Sequence, residues 1–319
     1  MLMPNQRSDV LDVIVAAALP SATTFKRQEL VQLLHACGSA GLKSRVPGFA
    51  DVTWSACDAI MEQFKPHELA IVLWSYARMN CSPGDKALQR AASLLATHAS
   101  NLDMQASRSV ATSRTFFALR LSARQAVSNG MWALAVLWNK PDPAILARLV
   151  ECAQRMLPAS TSPQAISNVL WAVAKLRFDP GPSFVADTVA RALALADALG
   201  CDEAPLPLLR CCADATACAP RRPADLLQLC HSLVELRYAA GPRSLDALAA
   251  AVDKQLPAFS EVQLTTVLTA LARMGFDPPE AFAARLCKHV DSLGLAGRPA
   301  LASALALLGL KTLPPQAPA

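Results

Sequence analysis

The chain has 319 residues, of which 53% are hydrophobic and 17% are charged, and its formal net charge is +5. This apolar content is enough for a buried core and excludes a disordered protein, because disordered chains are poor in hydrophobic residues. The mild positive charge permits a polyanionic partner without indicating one. Ala and Leu, which both favour helices, supply most of the apolar residues.

The N-terminal segment, 1–24, can form a helix but matches no targeting or membrane signal. Its most apolar stretch runs from Val10 to Leu19, is interrupted by Asp12 and is shorter than the about 20 residues that span a bilayer. It lacks the basic start and small-residue exit of a signal peptide, and it is not the Arg- and Ser-rich leader typical of organelle import. We therefore expect a soluble intracellular protein, with no clear transit peptide in this chain.

A short phrase, in which an apolar residue is usually followed by an aromatic one, recurs along the chain. The clearest copy spans residues 161–180 and centres on Leu170 and Trp171. The equivalent pairs are Leu34-His35, Leu73-Trp74, Met131-Trp132, Cys230-His231 and Leu268-Thr269. Three of the intervals between copies are 38 or 39 residues long, and the other two are about 20 residues longer. A fixed period of this length is typical of helical-repeat proteins.

Each copy is predicted to be a helical hairpin. In the clearest copy Ile166, Leu170 and Val173 recur at helical spacing, Ser160 or Ser162 can cap the first helix, and Pro163 suits its first turn. Prolines then separate the first helix from the second in every clear copy, and no strand-like alternation is present. The fold class is therefore all-α, an α-solenoid of stacked helix-turn-helix repeats of about 38–40 residues.

The repeat phrases divide the chain into copies, inserts and ends. We predict a repeat array over 25–310 and a Pro-rich tail over 311–319. The copies lie near 25–63, 64–102, 122–159, 160–199, 222–258 and 259–294, with a partial cap over 295–310 and inserts near 103–121 and 200–221.

The ten cysteines and the few histidines do not form a recognisable chemical site. The cysteines are scattered through apolar helical patterns, which favours buried free thiols over a disulfide framework. The nearest metal candidate is the group Cys201, Cys211, Cys212, Cys218, Cys230 and His231, which contains no CxxC pair. Since no nucleotide-binding, metalloprotease or hydrolase motif occurs either, we expect no cofactor, no metal and no enzymatic activity.

A second pattern follows the polar positions of the first helices. Taking Ile166 as the origin of a helical wheel, Gln164, Asn168, Ala172 and Lys175 form a stripe opposite the main apolar face. The equivalent positions are mostly amide, hydroxyl or basic, and the candidate residues are Gln28, Gln32, His67, Arg78, Gln125, Asn129, Gln164, Asn168, Lys175, Gln228, Thr266 and Arg273.

This stripe has two interpretations. Amides can pair with base edges and cations can hold phosphates, so a regular stripe suits one-base-per-repeat reading of single-stranded RNA. Alternatively, the stripe is the polar surface of any soluble solenoid, with amides that bridge neighbouring helices. Glu235, at the Lys175 position of the fifth copy, would repel phosphate. The recurring Trp74, Trp132 and Trp171 could stack on bases, but packing between repeats explains them at least as well.

The phrase SerProGlnAlaIleSerAsnValLeuTrpAlaValAlaLysLeu over 162–176, the period and the proline-rich link resemble the octotricopeptide repeat. This family binds organellar RNA, and similar repeats accompany the RAP domain in FAST-kinase-like proteins and occur in mitochondrial RNA-editing substrate-binding complexes. The resemblance implies sequence-selective binding of chloroplast or mitochondrial RNA, supporting transcript stability, processing or translation, with other organellar RNA-processing or translation proteins as further partners. The alternative is a protein–protein interaction scaffold that uses the concave surface of the solenoid.

Overall fold

The computed structural model describes residues 4–41, 47–108, 114–156, 162–198, 223–238, 240–292, 294 and 298–310. The regular elements in these ranges are helices, and no strand is among them. The α-helices are α1 (Pro4–Ala18), α2 (Arg27–Ser39), α3 (Phe49–Ala59), α4 (Pro66–Met79), α5 (Asp85–Arg108), α6 (Arg114–Leu137), α7 (Pro143–Met156), α8 (Pro163–Lys175), α9 (Pro182–Ala198), α10 (Pro223–Glu235), α11 (Pro242–Gln255), α12 (Glu261–Arg273), α13 (Glu280–Ser292) and α14 (Pro299–Leu307).

The helices pair into hairpins that stack within two compact units, Met1–Ser160 and Thr161–Ala319. We call the first helix of each hairpin the A helix and the second the B helix. In the first unit the A helices α2, α4 and α6 lie side by side, and the B helix α5 packs against α7. In the second unit α8, α10, α12 and α14 form the A row, and α9, α11 and α13 form the B row. The prediction of an all-α helical-repeat fold is confirmed.

Prolines and caps set the helix ends as the sequence predicts. Ser162 caps α8, where its hydroxyl oxygen accepts a hydrogen bond from the Ala165 N–H at 3.3 Å. Pro163 lies in the first turn of α8, and Pro182 begins the partner helix α9. Proline is tolerated there because the first helical N–H groups have no partner within the helix.

The apolar member of each repeat phrase lies at the centre of the stack. Leu34, Leu73, Leu170, Cys230 and Leu268 are fully buried. Small residues bring neighbouring A helices close together: a Cβ atom added to Gly38 of α2 would lie 2.8 Å from the Cα atom of Ser75 in α4. The A rows therefore form the core, and one hairpin alone would leave this surface exposed.

Residues near the first predicted insert, 103–121, belong partly to two long helices. Both α5 and α6 have 24 residues, whereas the A helices α2 and α8 have 13. Of the other segments, 1–24 contains α1 and a 3-10 helix over Leu19–Thr24, and α14 lies in the predicted cap. The second insert, 200–221, and the tail, 311–319, lie outside the described residues.

The cysteines that the structure describes are free thiols, as expected. Cys37, Cys57, Cys152 and Cys230 are buried. Burial raises the pKa of the Cys57 and Cys230 thiols to about 12, which keeps them protonated and unreactive at neutral pH. Within the described ranges no helix is both long and apolar enough to cross a membrane.

We predict that Leu170→Asp lowers the free energy of unfolding by at least ~3 kcal/mol, because Leu170 is fully buried and a carboxylate there would lose its hydration without a partner. Ala190→Asp, on the exposed side of α9, is the matched control and should cost under about 1 kcal/mol. Urea unfolding followed by circular dichroism measures both, and equal effects of the two variants would contradict the assignment of Leu170 to the core.

Candidate functional site

The open surface of each A helix is a narrow strip. The A helices α4 and α10 each touch an A helix on both flanks and pack against their own B helix, so side chains on those three sides are covered. In α8 Gln164 and Lys175 are exposed and Trp171 is half-buried, but Asn168 is only 7% exposed and Ala172 is fully buried. The expectation that this stripe lies opposite the buried surface is therefore wrong for Asn168 and Ala172, because the flanking helix covers them. We call the strips of one unit together its A face.

In the first unit the candidate residues differ in exposure. Gln28 and Gln32 of α2 are exposed, whereas Gln125 and Asn129 of α6 are half-buried. The Gln125 Nε2 atom donates a hydrogen bond to Asn129 Oδ1 at 3.0 Å, which joins two of the predicted amides on one helix turn. Burial lowers the pKa of half-buried His67 in α4, so its neutral form is favoured at pH 7. His67 is therefore suited to hydrogen bonding rather than to charge pairing.

The tryptophan of the second repeat phrase connects two A helices. The Trp74 ring of α4 stacks on the His35 ring of α2, with centroids 5.6 Å apart and an interplanar angle of 30°. The guanidinium carbon of Arg78, another candidate residue, lies 5.8 Å from the Trp74 ring centroid. This geometry supports the packing interpretation of Trp74, since its ring already has two partners. Trp132 and Trp171 are half-buried at the equivalent positions.

In the second unit two candidate amides bridge neighbouring A helices. The Gln228 Nε2 atom of α10 donates a hydrogen bond to Asn168 Oδ1 of α8 at 3.1 Å. The Thr266 hydroxyl of α12 donates to the Val262 carbonyl of its own helix at 2.8 Å. Buried amides with such partners contribute to packing specificity. The structure thus brings Asn168 and Gln228 together as a contact between repeats.

The C-terminal ends of the A helices in the second unit carry exposed cations. Lys175 of α8 and Arg273 of α12 are exposed, as predicted, and Glu235 of α10 occupies the same position between them. Two residues further on, Arg177 and Arg237 follow α8 and α10, and both are exposed. Sequence reasoning missed these two arginines because it considered only positions inside the helices.

Arg177 and Arg237 have an unusual backbone conformation. Their φ angles are 52° and 50°, in the left-handed region that favours glycine. Both follow the same capping pattern, in which the next residue donates its N–H to a carbonyl five residues earlier: Phe178 to Val173 at 3.1 Å and Tyr238 to Leu233 at 3.0 Å. The equivalent position holds Asn80 after α4, Gly275 after α12 and Gly309 after α14, also with positive φ.

Helix capping alone does not favour arginine at these positions. A left-handed conformation costs a residue with a side chain roughly 1–2 kcal/mol. A cation at a helix C-terminus recovers only about 0.3–1 kcal/mol from the helix dipole at an exposed site. Glycine or asparagine would cap the helix with less strain, as Gly275 and Asn80 do. The shared phrases Leu-Arg-Phe over 176–178 and Leu-Arg-Tyr over 236–238, aligned with Met-Gly-Phe over 274–276, are the sequence signal for this site.

The cations of this A face differ from several arginines elsewhere in the protein. Arg285 of the B helix α13 pairs with Asp253 at 2.7 Å, and Arg90 of α5 pairs with Asp58 at 2.7 Å. Within the described ranges, Lys175, Arg177, Arg237 and Arg273 have no hydrogen-bond or ion-pair partner for their side-chain nitrogens. Three carboxylates belong to the same helix ends, namely Glu235, Asp179 and Asp277, and Asp179 accepts a hydrogen bond from the Gly181 N–H at 2.9 Å.

No metal-binding cluster occurs in the part of the chain that the structure describes. Groups of three or more His, Cys, Asp or Glu side chains with suitable geometry are absent there. Cys230 is buried in the A row, while Cys201, Cys211, Cys212 and Cys218 lie outside the described residues.

We predict that Asn168→Ala lowers the free energy of unfolding by about 1–2 kcal/mol, because it leaves the half-buried Gln228 amide without its acceptor. Gln164→Ala removes an exposed amide from the same helix and should cost less than about 0.5 kcal/mol. Thermal and urea unfolding of both variants test this. An Asn168→Ala variant as stable as Gln164→Ala would mean that the contact between the two repeats contributes little to folding.

Comparison with known proteins assigns this chain to no family. A scan against protein-family models finds no match for the chain, and a search of curated proteins finds no similar sequence. The resemblance to octotricopeptide repeats therefore depends on the repeat phrases alone.

Proposed function

We propose that this protein binds single-stranded RNA sequence-selectively through its A faces, without catalysis, and that it acts on chloroplast or mitochondrial transcripts. The observation that carries the proposal is a set of exposed cations at the C-terminal ends of the A helices in the second unit. They are Lys175, Arg177, Arg237 and Arg273, and their side chains have no partner among the residues that the structure describes. Phosphate contacts supply most of the affinity of nucleic-acid binding proteins. The organelle and the role in transcript stability, processing or translation come from the resemblance alone.

Exposed polar side chains on the same surfaces supply the means of selectivity. Gln28, Gln32 and Gln164 are exposed amides, which can both donate and accept hydrogen bonds with base edges. Asn168 is excluded from this group by its burial and its bond to Gln228. The proposal therefore assigns base contacts to the first two turns of the A helices and phosphate contacts to their C-terminal ends.

A protein-binding scaffold is the second candidate, and two exposed apolar residues favour it. Val262 of α12 is 75% exposed and Leu307 of α14 is 63% exposed. They occupy repeat positions that hold Gln164 and Lys175 in α8. An apolar peptide groove would bind with little salt dependence, whereas phosphate contacts weaken steeply as the salt concentration rises.

We predict that Lys175→Glu combined with Arg273→Glu weakens binding of a 30-nucleotide uridine homopolymer and of a random-sequence RNA alike, by about 10- to 100-fold, because each substitution replaces a phosphate contact with a repulsion. Fluorescence anisotropy at several salt concentrations measures the affinity. Selectivity among sequences should stay the same, since phosphate contacts position the strand without reading bases.

The matched control is Arg243→Glu combined with Lys288→Glu, which changes the net charge equally but on exposed positions of the B helices α11 and α13. This variant should bind RNA like the wild type. Equal losses of RNA affinity in both variants would mean that net charge, and not these positions, determines binding. Wild-type protein that binds neither RNA would contradict the proposed function and favour the scaffold.

A further inference from the structure

We propose that Arg177 and Arg237 form a two-residue clamp for backbone phosphates of a single RNA strand that crosses the C-terminal ends of α8 and α10. This inference depends on the proposed function and names the residues that hold the strand in the second unit. Both arginines are exposed, both occupy the same position of neighbouring repeats, and neither is paired with a described residue.

Arg177 and Arg237 follow the last turns of two adjacent A helices. The A helices α8 and α10 lie side by side and are joined by the bond from Gln228 to Asn168. Packed helices are about 8–10 Å apart, so equivalent residues after their last turns are separated by about one such spacing. Two long side chains at that separation can each reach a phosphate of the same strand, and the planar guanidinium suits bidentate contact with phosphate oxygens.

Both arginines have a left-handed backbone conformation. A positive φ is strained for arginine, and the other helix ends of this unit use Gly275 and Gly309 at the same position. Residues kept in strained conformations cluster at binding sites. The left-handed residue also ends the helix, and in both repeats its side chain is exposed. Arginine at this point extends the cationic surface past Lys175, which a glycine cap cannot do.

The ends of the A helices in this unit carry carboxylates as well as cations. Glu235 lies at the end of α10, two residues before Arg237, and Asp179 and Asp277 follow the ends of α8 and α12. These carboxylates disfavour broad, nonspecific attraction of polyanions to this end of the unit. An RNA strand at this end of the unit would therefore contact Arg177 and Arg237 individually. Its phosphates would stay away from the carboxylate of Glu235.

The decisive variant is Arg177→Gly combined with Arg237→Gly, since glycine is the residue that neighbouring repeats carry there. It removes both guanidinium groups and relieves the strain. We expect the melting temperature to rise or to remain within about 2 °C of the wild type. We also expect weaker binding of the 30-nucleotide uridine homopolymer, and a slope of log affinity against log salt that is smaller by about 1.4, the value for two phosphate contacts on a single strand.

The controls separate this inference from the proposed function. Arg177→Lys combined with Arg237→Lys keeps both charges and should retain most of the salt slope. If the wild type binds RNA but the double glycine variant keeps its affinity and slope, the clamp is wrong and the proposed function stands. A melting temperature that falls by more than about 5 °C would make the arginines structural caps instead.

Two further outcomes overturn the assignment to RNA. Wild-type protein that fails to bind the RNA contradicts both proposals together. Poly-glutamate that binds as tightly as the RNA, and loses affinity in the double glycine variant, would assign the two arginines to an acidic protein partner. Preference for RNA over poly-glutamate, with loss confined to the glycine variant, supports the clamp.

Discussion

The packing of each A helix against A helices on its flanks is the constraint on which the rest of the structure depends. Within each unit it places the repeat leucines, such as Leu73 and Leu170, at the centre of a continuous core. It also demands small residues at close contacts, as where Gly38 of α2 meets Ser75 of α4. A Cβ atom at Gly38 would meet backbone rather than a movable side chain, so the helix spacing leaves little tolerance at this point.

The same packing decides which polar residues remain available to a partner. When neighbouring helices cover both flanks of an A helix, the strip left open is about one residue wide. Successive residues are 100° apart around the helix axis, so the residues on either side of an exposed one already face a neighbouring helix. Asn168 falls on the covered flank and bonds to Gln228, while Gln164 and Lys175 remain open. The helix ends escape this restriction, since the chain leaves the row there. Exposed charge therefore collects at the C-terminal ends of α8, α10 and α12.

More of the fold than of the candidate site could be predicted from the sequence. The period, the hairpins and the helix starts at Pro163 and Pro182 follow from local patterns, since apolar spacing and proline act within a few residues. The burial of Asn168 depends on a residue 60 positions away, which a wheel drawn for one helix does not contain. Arg177 was missed because it follows the end of α8, outside the helical positions that the wheel covers, and its positive φ angle is seen only in the structure.

The contrast between the two sides of the hairpins connects this geometry to function. On the B side Arg285 and Arg90 pair with carboxylates of neighbouring elements, so those charges support the fold. At the ends of α8 and α10, arginine adds strain that glycine would avoid, and its charge has no partner among the described residues. The proposal that these arginines contact a ligand rests on this combination of exposure, strain and lack of a described partner. We propose a polyanion with regularly spaced charges as that ligand, because a guanidinium recognises anions and two guanidinium groups recur at the repeat spacing.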